Sequence, residues 1–306
     1  MEEKSVGIVT ASAGGLYTVR CKKNDGYEDL RCRARGVFRH DRITLLVGDR
    51  VEVIRDEQEN GVVINKIFER KNSLIRPPIA NVDVIFVTMA ASSPAPMLDM
   101  TDKLVSILEH NSIEPVIIVG KCELDRESGD RICDIYRRGG FRVFEVSCAT
   151  GEGIDEVKKF ISESLEDKIF AFAGASGVGK STLINKLFPK LELATGEVSK
   201  KTERGKHTTR SVTLIDVGEG YIADTPGFSM LDFERFDFFE LEDLALTFRE
   251  FNQYIGLCKY KKCTHTREEG CAIVEAAERG EIARSRHESY NMLYAILKSK
   301  NKWDKK

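Results

Sequence analysis

The 306-residue sequence contains no hydrophobic run approaching the roughly 20 residues that a membrane-spanning helix requires. Its opening residues, MEEKSVGIVT, have neither a basic leader nor an apolar core. Both absences set the expectation of a soluble, cytoplasmic protein with no membrane partner. Internal repeats and low-complexity linkers are also missing, which excludes a repeat array. An excess of one charge is missing too. Lys and Arg number 47 against 49 Asp and Glu, for a net charge of -2, so no global field draws in nucleic acid. Among the eight cysteines there is no Cys-x-x-Cys pair, which argues against a redox motif.

What is present suits an ordinary globular protein of two or three domains, with 42% apolar and 31% charged residues. Charge gathers locally. Arg31, Arg33, Arg35, Arg39 and Arg42 crowd one stretch around His40, and Lys298, Lys300, Lys302, Lys305 and Lys306 stud the tail. Such patches either bind phosphate backbones or form solvated faces.

Residues 1–70 alternate apolar and polar in short runs such as Gly7-Ile8-Val9-Thr10, Leu16-Tyr17-Thr18-Val19 and Val51-Glu52-Val53-Ile54. Gly14-Gly15 and Asn60-Gly61 separate them as turns. This predicts a five-stranded barrel of the OB-fold kind. From Asn81 the texture changes to buried-strand runs, Val82 to Val87 and Val116 to Val119, alternating with helical spacing such as Ile154, Val157, Phe160, Ile161 and Leu165. That pattern predicts an α/β domain with a mostly parallel sheet. Beyond about residue 233 the chain becomes acidic-aromatic, then cysteine-rich, then helical. The expected domains are 1–70, 71–232 and 233–306.

The chemistry begins at Gly174-Ala175-Ser176-Gly177-Val178-Gly179-Lys180-Ser181. The apolar run Ile169-Phe170-Ala171-Phe172 precedes it, and a helix opens through Thr182. Strand, glycine loop and helix N-terminus make a nest of N–H groups for phosphates. Lys180 is expected to reach the β- and γ-phosphates and Ser181 to bind Mg2+. Asp224-Thr225-Pro226-Gly227 follows a second strand, with Asp224 placed for the Mg2+ shell and the Gly227 N–H for the γ-phosphate. Between them, Thr208 and Thr209 both fit a switch threonine, with Thr209 favoured. Phe228 stands where many GTPases carry a glutamine that orients water. A phenyl ring cannot do this, so His207 or a partner's group is expected to assist.

Base recognition falls to Gly120-Lys121-Cys122-Glu123. The usual guanine signature is Asn-Lys-x-Asp, in which the acid accepts from N1–H and the exocyclic amine. Here Glu123 occupies the acid position, Gly120 replaces the asparagine, and Asp125 is a rival acid two residues on. Ser147-Cys148-Ala149 matches the loop that offers a backbone N–H to the guanine carbonyl. These base segments precede the phosphate loop, the reverse of the usual order, so the domain reads as circularly permuted. Cys258-x4-Cys263-x-His265-x5-Cys271 puts four ligands within fourteen residues. That composition suits a closed, structural Cys3His zinc site rather than a catalytic one.

Together these residues resemble the RsgA (YjeQ-type) small-ribosomal-subunit-dependent GTPases over nearly the whole chain. The resemblance includes Val47-Gly48-Asp49-Arg50-Val51, Arg76-Pro77, Asn81-Val82-Asp83, Gly205-Lys206-His207-Thr208-Thr209, Asp224-Thr225-Pro226-Gly227-Phe228, Cys263-Thr264-His265 and Gly270-Cys271-Ala272. It implies a multidomain protein: an N-terminal OB-fold barrel, a circularly permuted P-loop GTPase domain and a C-terminal helical zinc domain. It also implies GTP hydrolysis stimulated by the small ribosomal subunit late in that subunit's maturation, with the barrel and zinc domains on rRNA. A monomer is expected. A metabolic P-loop kinase and a nucleotide-regulated RNA-binding scaffold are the competing readings, and no acceptor-pocket motif supports the kinase.

Overall fold

Alternating buried and exposed residues close a barrel at the N-terminus of the computed structural model, which describes residues 4–24, 26–40, 43–56, 61–75, 77–191, 212–218, 220–224 and 240–300. Its strands are β1 (Lys4–Ala13), β2 (Leu16–Lys23), β3 (Gly26–Ala34), β4 (Arg50–Asp56) and β5 (Gly61–Ile67). They follow the order β1-β2-β3-β5-β4, and β4 pairs back onto β1 to remove the open edge. Val9, Val19, Cys21, Cys32, Val51, Val53 and Ile64 fill the interior. Burial pushes the Cys32 thiol up to about 12 and raises Cys21 as well, so both are inert core residues. Arg31 and Arg33 occupy exposed positions of β3 on either side of buried Cys32. A short helix, α1 (Gly36–His40), follows. Arg42 and the tail lysines Lys302, Lys305 and Lys306 lie outside the described residues.

The family-like motifs around residues 48 and 81 prove to be structural. Asp49 is fully buried, and Arg70 clasps it through Nε at 2.6 Å and a terminal nitrogen at 2.8 Å. Asn81, at a left-handed φ of 58°, donates to the Gly48 carbonyl at 2.9 Å and accepts from the Lys71 N–H at 3.0 Å. These bonds fix the hairpin β6 (Ser73–Leu74) and β7 (Ile79–Ala80) beside the barrel.

The chain divides into two compact units, Met1–Val84 with Ile161–Ala171 and Lys201–Phe228, and Ile85–Phe160 with Phe172–Lys200 and Ser229–Lys306. In the first, β12 (Thr213–Asp216) pairs with β1 through Thr213 and Ala11 and runs antiparallel to β13 (Tyr221–Asp224). β13 in turn pairs in parallel with β11 (Ile169–Ala173).

The second unit holds most of β8 (Val82–Ala90), together with β9 (Glu114–Gly120), β10 (Arg142–Val146), α2 (Leu98–His110), α3 (Arg126–Arg138) and α5 (Lys180–Leu187). Helix α4 (Ile154–Ser164) begins there, and its Ile154, Val157 and Ile161 are buried. β9 and β10 are parallel, with Gly120 opposite Val146. Phe86 stacks on Phe172 with ring centroids 4.7 Å apart. The C-terminal segment adds α6 (Ala272–Glu278) and α7 (Arg284–Lys300), packed around Leu244, Phe248, Phe251, Ile273 and Tyr290. Arg249 grips Glu109 at 2.7 Å and Glu114 across α2 and β9. No helix among the described residues is long and apolar enough to cross a membrane.

Candidate nucleotide site and metal centre

The phosphate loop follows directly from the end of β11, whose five residues are all buried. Gly174 has a φ of 144°, and a Cβ there would lie 2.0 Å from the Thr88 carbonyl oxygen, so only glycine fits. Gly179, at φ 102°, turns the chain into α5 at Lys180. The Lys180 ammonium donates to the Gly174 and Ala175 carbonyls at 2.8 and 2.7 Å, which holds it over the loop. Burial lowers its pKa. Ser181 sits in the first helical turn, where N–H groups and the helix field favour anions.

The base segments sit beside this loop because β9 and β10 are paired strands whose carboxyl ends carry both of them. A cavity of about 320 Å³ is lined by Gly120, Lys121, Glu123, Leu124, Cys148, Ala149 and Thr182, with Thr88, Ile118 and Val146 contributing surfaces not singled out from sequence. Val178, Gly179 and Leu183 form its phosphate-side wall. Lys121, at φ 59°, donates from its ammonium to the Gly177 carbonyl at 2.8 Å and to the Ser93 carbonyl. One side chain thus ties the base loop to the phosphate loop.

The two rival acids separate. Asp125 is the N-cap of α3, and its carboxylate accepts from the Ser128 N–H at 3.0 Å. Glu123 lines the cavity. Ser147 is buried, accepts from the Thr150 N–H through its hydroxyl at 3.1 Å and so braces its own turn, while Cys148 and Ala149 beside it line the cavity. Arg126 fastens that turn with a two-pronged pair to Glu152 at 3.0 and 2.7 Å, a clamp with no sequence motif to announce it.

Asp224 ends β13 opposite Thr213, with its backbone placed and its side chain outside the description. His207, Thr208, Thr209, Gly227 and Phe228 lie outside the described residues.

Cys258, Cys263, His265 and Cys271 converge, with all ligand atoms within 4.8 Å of one another. The Cys258 and Cys271 sulfurs are 3.8 Å apart, and His265 Nδ1 lies 3.5 and 3.6 Å from them. Thiolates about 2.3 Å from a tetrahedral ion stand about 3.8 Å apart, so the donor set fits zinc in type and spacing. Residues of α7 brace the ligand loop. His287 Nε2 meets the His265 carbonyl at 2.8 Å, and Tyr290 donates its hydroxyl to the Thr264 carbonyl at 2.8 Å. Burial works against the Glu268 carboxylate, yet bonds from the Thr264 hydroxyl and from backbone N–H groups hold it down at about 2.

Comparison with known proteins accords with this geometry. The RsgA N-terminal domain profile matches residues 6–63, and the RsgA GTPase profile matches residues 67–234. The chain is 40% identical over 303 residues to the small ribosomal subunit biogenesis GTPase RsgA of Caldanaerobacter subterraneus, covering 98% of each chain. It is 39% identical to that of Bacillus cereus, over 96% of this chain and 98% of the relative. Among solved structures, YjeQ from Thermotoga maritima superposes with a TM-score of 0.80 at 32% identity, covering 96% of this chain and 99% of its own. YloQ, described as a circularly permuted GTPase, superposes at 0.78 and 32% identity, covering 97% and 96%. With its phosphate loop downstream of its base segments and relatives matched end to end, the chain belongs to the RsgA family of circularly permuted GTPases.

Proposed function

We propose that this GTPase acts on the small ribosomal subunit late in its maturation, and that the subunit stimulates its hydrolysis of GTP to GDP. The observation that carries this reading is the 40% identity over 98% of the chain to a small ribosomal subunit biogenesis GTPase. In this reading a barrel over 1–70, a nucleotide domain over 71–232 and a zinc domain over 233–306 act together as a cytoplasmic monomer. Two features support RNA-facing surfaces. Arg31 and Arg33 stand exposed on β3. Lys259, Lys261 and Lys262 flank exposed Tyr260 with no carboxylate in ion-pair range among the described residues.

Residues Gly174 to Thr182 hold the phosphates, and Lys180 neutralises charge that develops on the transferred group. Ser181 and Asp224, hard oxygen donors, would hold Mg2+, which draws charge from the phosphate oxygens. Thr208 or Thr209 and the Gly227 N–H respond to the γ-phosphate. Glu123 accepts from the base, Lys121 covers it, and the 148–149 backbone meets the guanine carbonyl. The metal held by Cys258, Cys263, His265 and Cys271 is zinc, and it is structural. Because Phe228 cannot orient water, His207 or a group from the subunit completes the site, and turnover without the subunit is slow.

GTP and ATP hydrolysis measured with and without purified small subunits tests this reading. The expected result is GTP preference with stimulation approaching the roughly 10³-fold that supplied groups provide. Unchanged turnover with subunits overturns the ribosomal reading, and ATP preference overturns the guanine reading.

A further inference from the structure

The end of β9 leaves one edge of the base cavity without a side chain. Gly120 is buried and lines the cavity. A Cβ built there would lie 3.5 Å from both the Met89 and Val178 carbonyl oxygens, an ordinary contact. Gly120 is also absent from the residues with positive φ. Neither space nor backbone conformation requires glycine here, so the missing side chain is a property of the pocket rather than a demand of the fold.

Which edge of a bound base loses a contact follows from the neighbours. Val178 belongs to the phosphate loop, so position 120 lies on the phosphate side of the cavity. In an extended purine nucleotide the imidazole ring, with N7, lies nearest the phosphates, and the pyrimidine ring, with N1 and the exocyclic amine, lies farthest. Glu123 lines the same cavity, and the guanine reading above assigns it to the pyrimidine edge. An asparagine at 120 would present amide N–H donors to N7, which is a hydrogen-bond acceptor. The other side-chain N–H and O–H donors of the lining, those of Lys121, Thr88 and Thr182, are committed or distant. The Lys121 ammonium is bonded to the Gly177 and Ser93 carbonyls. The Thr88 hydroxyl is turned toward the Phe86 carbonyl, and Thr182 lies in the first turns of α5 at the phosphate end.

We propose that this pocket reads guanine through its pyrimidine-ring edge alone and leaves N7 unread, so that guanine nucleotides altered at position 7 bind on equal terms with unmodified ones. The inference rests on the guanine reading given above. It makes position 120 a specificity-determining position by omission. A pocket without an N7 donor forfeits one hydrogen bond, and it also carries no penalty when N7 is replaced, because no buried donor is stranded.

The test is calorimetric titration of the full chain with GDP, 7-deaza-GDP (C–H in place of N7), IDP (no exocyclic amine) and ADP. The expected result is 7-deaza-GDP within about twofold of GDP, and IDP and ADP both clearly weaker, since one neutral hydrogen bond corresponds to roughly 2- to 12-fold in affinity. A loss of about fivefold or more with 7-deaza-GDP, with GDP still preferred over ADP, overturns the inference and leaves the guanine reading standing. ADP binding as tightly as GDP overturns the guanine reading and the inference with it. The Gly120→Asn variant should open a gap of up to about tenfold in favour of GDP over 7-deaza-GDP. If it binds GDP without opening that gap, the assignment of N7 to position 120 is wrong. If it does not fold, the wild-type titrations decide alone.

Discussion

The Arg286 guanidinium lies 2.7 Å from the Asp102 carboxylate, and both side chains are shut away from water. The same guanidinium reaches Glu250 at 2.7 Å and lies 4.5 Å over the Phe248 ring. Burial disfavours the Arg286 cation, but Asp102 and Glu250 outweigh it and hold the group charged. Burial likewise pushes the Asp102 carboxyl up against the pull of Arg286. Removing Arg286 strands two buried acids. Arg286→Ala should lower the unfolding free energy by about 3–5 kcal/mol in urea titrations. Joint replacement of Arg286, Asp102 and Glu250 by apolar residues of similar size should recover most of that loss. A single-variant loss below about 1 kcal/mol would contradict the assignment.

Two glycines of the phosphate loop should respond differently to alanine. At Gly174 a Cβ meets a backbone oxygen at 2.0 Å, whereas at Gly177 nothing is nearer than Pro94 Cδ at 3.9 Å, though φ is 79°. Gly174→Ala should destabilise by at least about 2 kcal/mol, combining a clash with a strained backbone. Gly177→Ala should cost about 1–2 kcal/mol, the left-handed penalty alone. Thermal unfolding of both variants under one buffer checks the order, and equal losses would show that the Thr88 contact yields freely.

Asp125 and Glu123 give a pair of opposite outcomes. Asp125→Ala should remove about 1 kcal/mol of stability as a lost N-cap and leave the ratio of GDP to ADP affinity unchanged. Glu123→Ala should lower that ratio with little effect on stability. Titration and denaturation of both proteins settle the assignment, and a lowered ratio in Asp125→Ala would reverse it.

Metal loss should depend on pH. Burial pushes the Cys263 thiol up to about 12 and raises Cys271, so without an ion these thiols keep their protons at neutral pH. Binding the ion expels those protons, so the metal-free state holds more of them and lower pH favours release. A chelator should strip the metal faster near pH 6 than near pH 8, and helical content from residues 240–300 should fall with it. Metal release that is independent of pH would count against thiolate ligation.

What could be read from the sequence divides along the length scale of the interactions. The phosphate loop and the metal ligands are short, local patterns, and the structure places each set together. Barrel alternation exposes β1, β2, β4 and β5. It does not expose β3, whose Gly26–Ala34 stretch is polar and buries only Cys32 fully. The two acids at 123 and 125 are rivals in sequence, although Asp125 directly before a helical pattern is an N-cap signal that favours capping. Arg286 carries no such signal. Its partners lie 36 and 184 residues away, and nothing in its neighbourhood distinguishes it from a surface arginine.

That separation bears on how the protein comes into being. Asp102 is made 184 residues before Arg286, and the unit that contains the phosphate loop draws on Ile85–Phe160, Phe172–Lys200 and Ser229–Lys306. Chains fold from the N-terminus as they emerge, at about 5–20 residues per second. For roughly 9 to 37 seconds Asp102 therefore has no arginine to meet. During that interval the barrel can close, because β1 to β5 are all in hand. The nucleotide unit must wait for α7, which carries Arg286, before the Asp102 charge is answered.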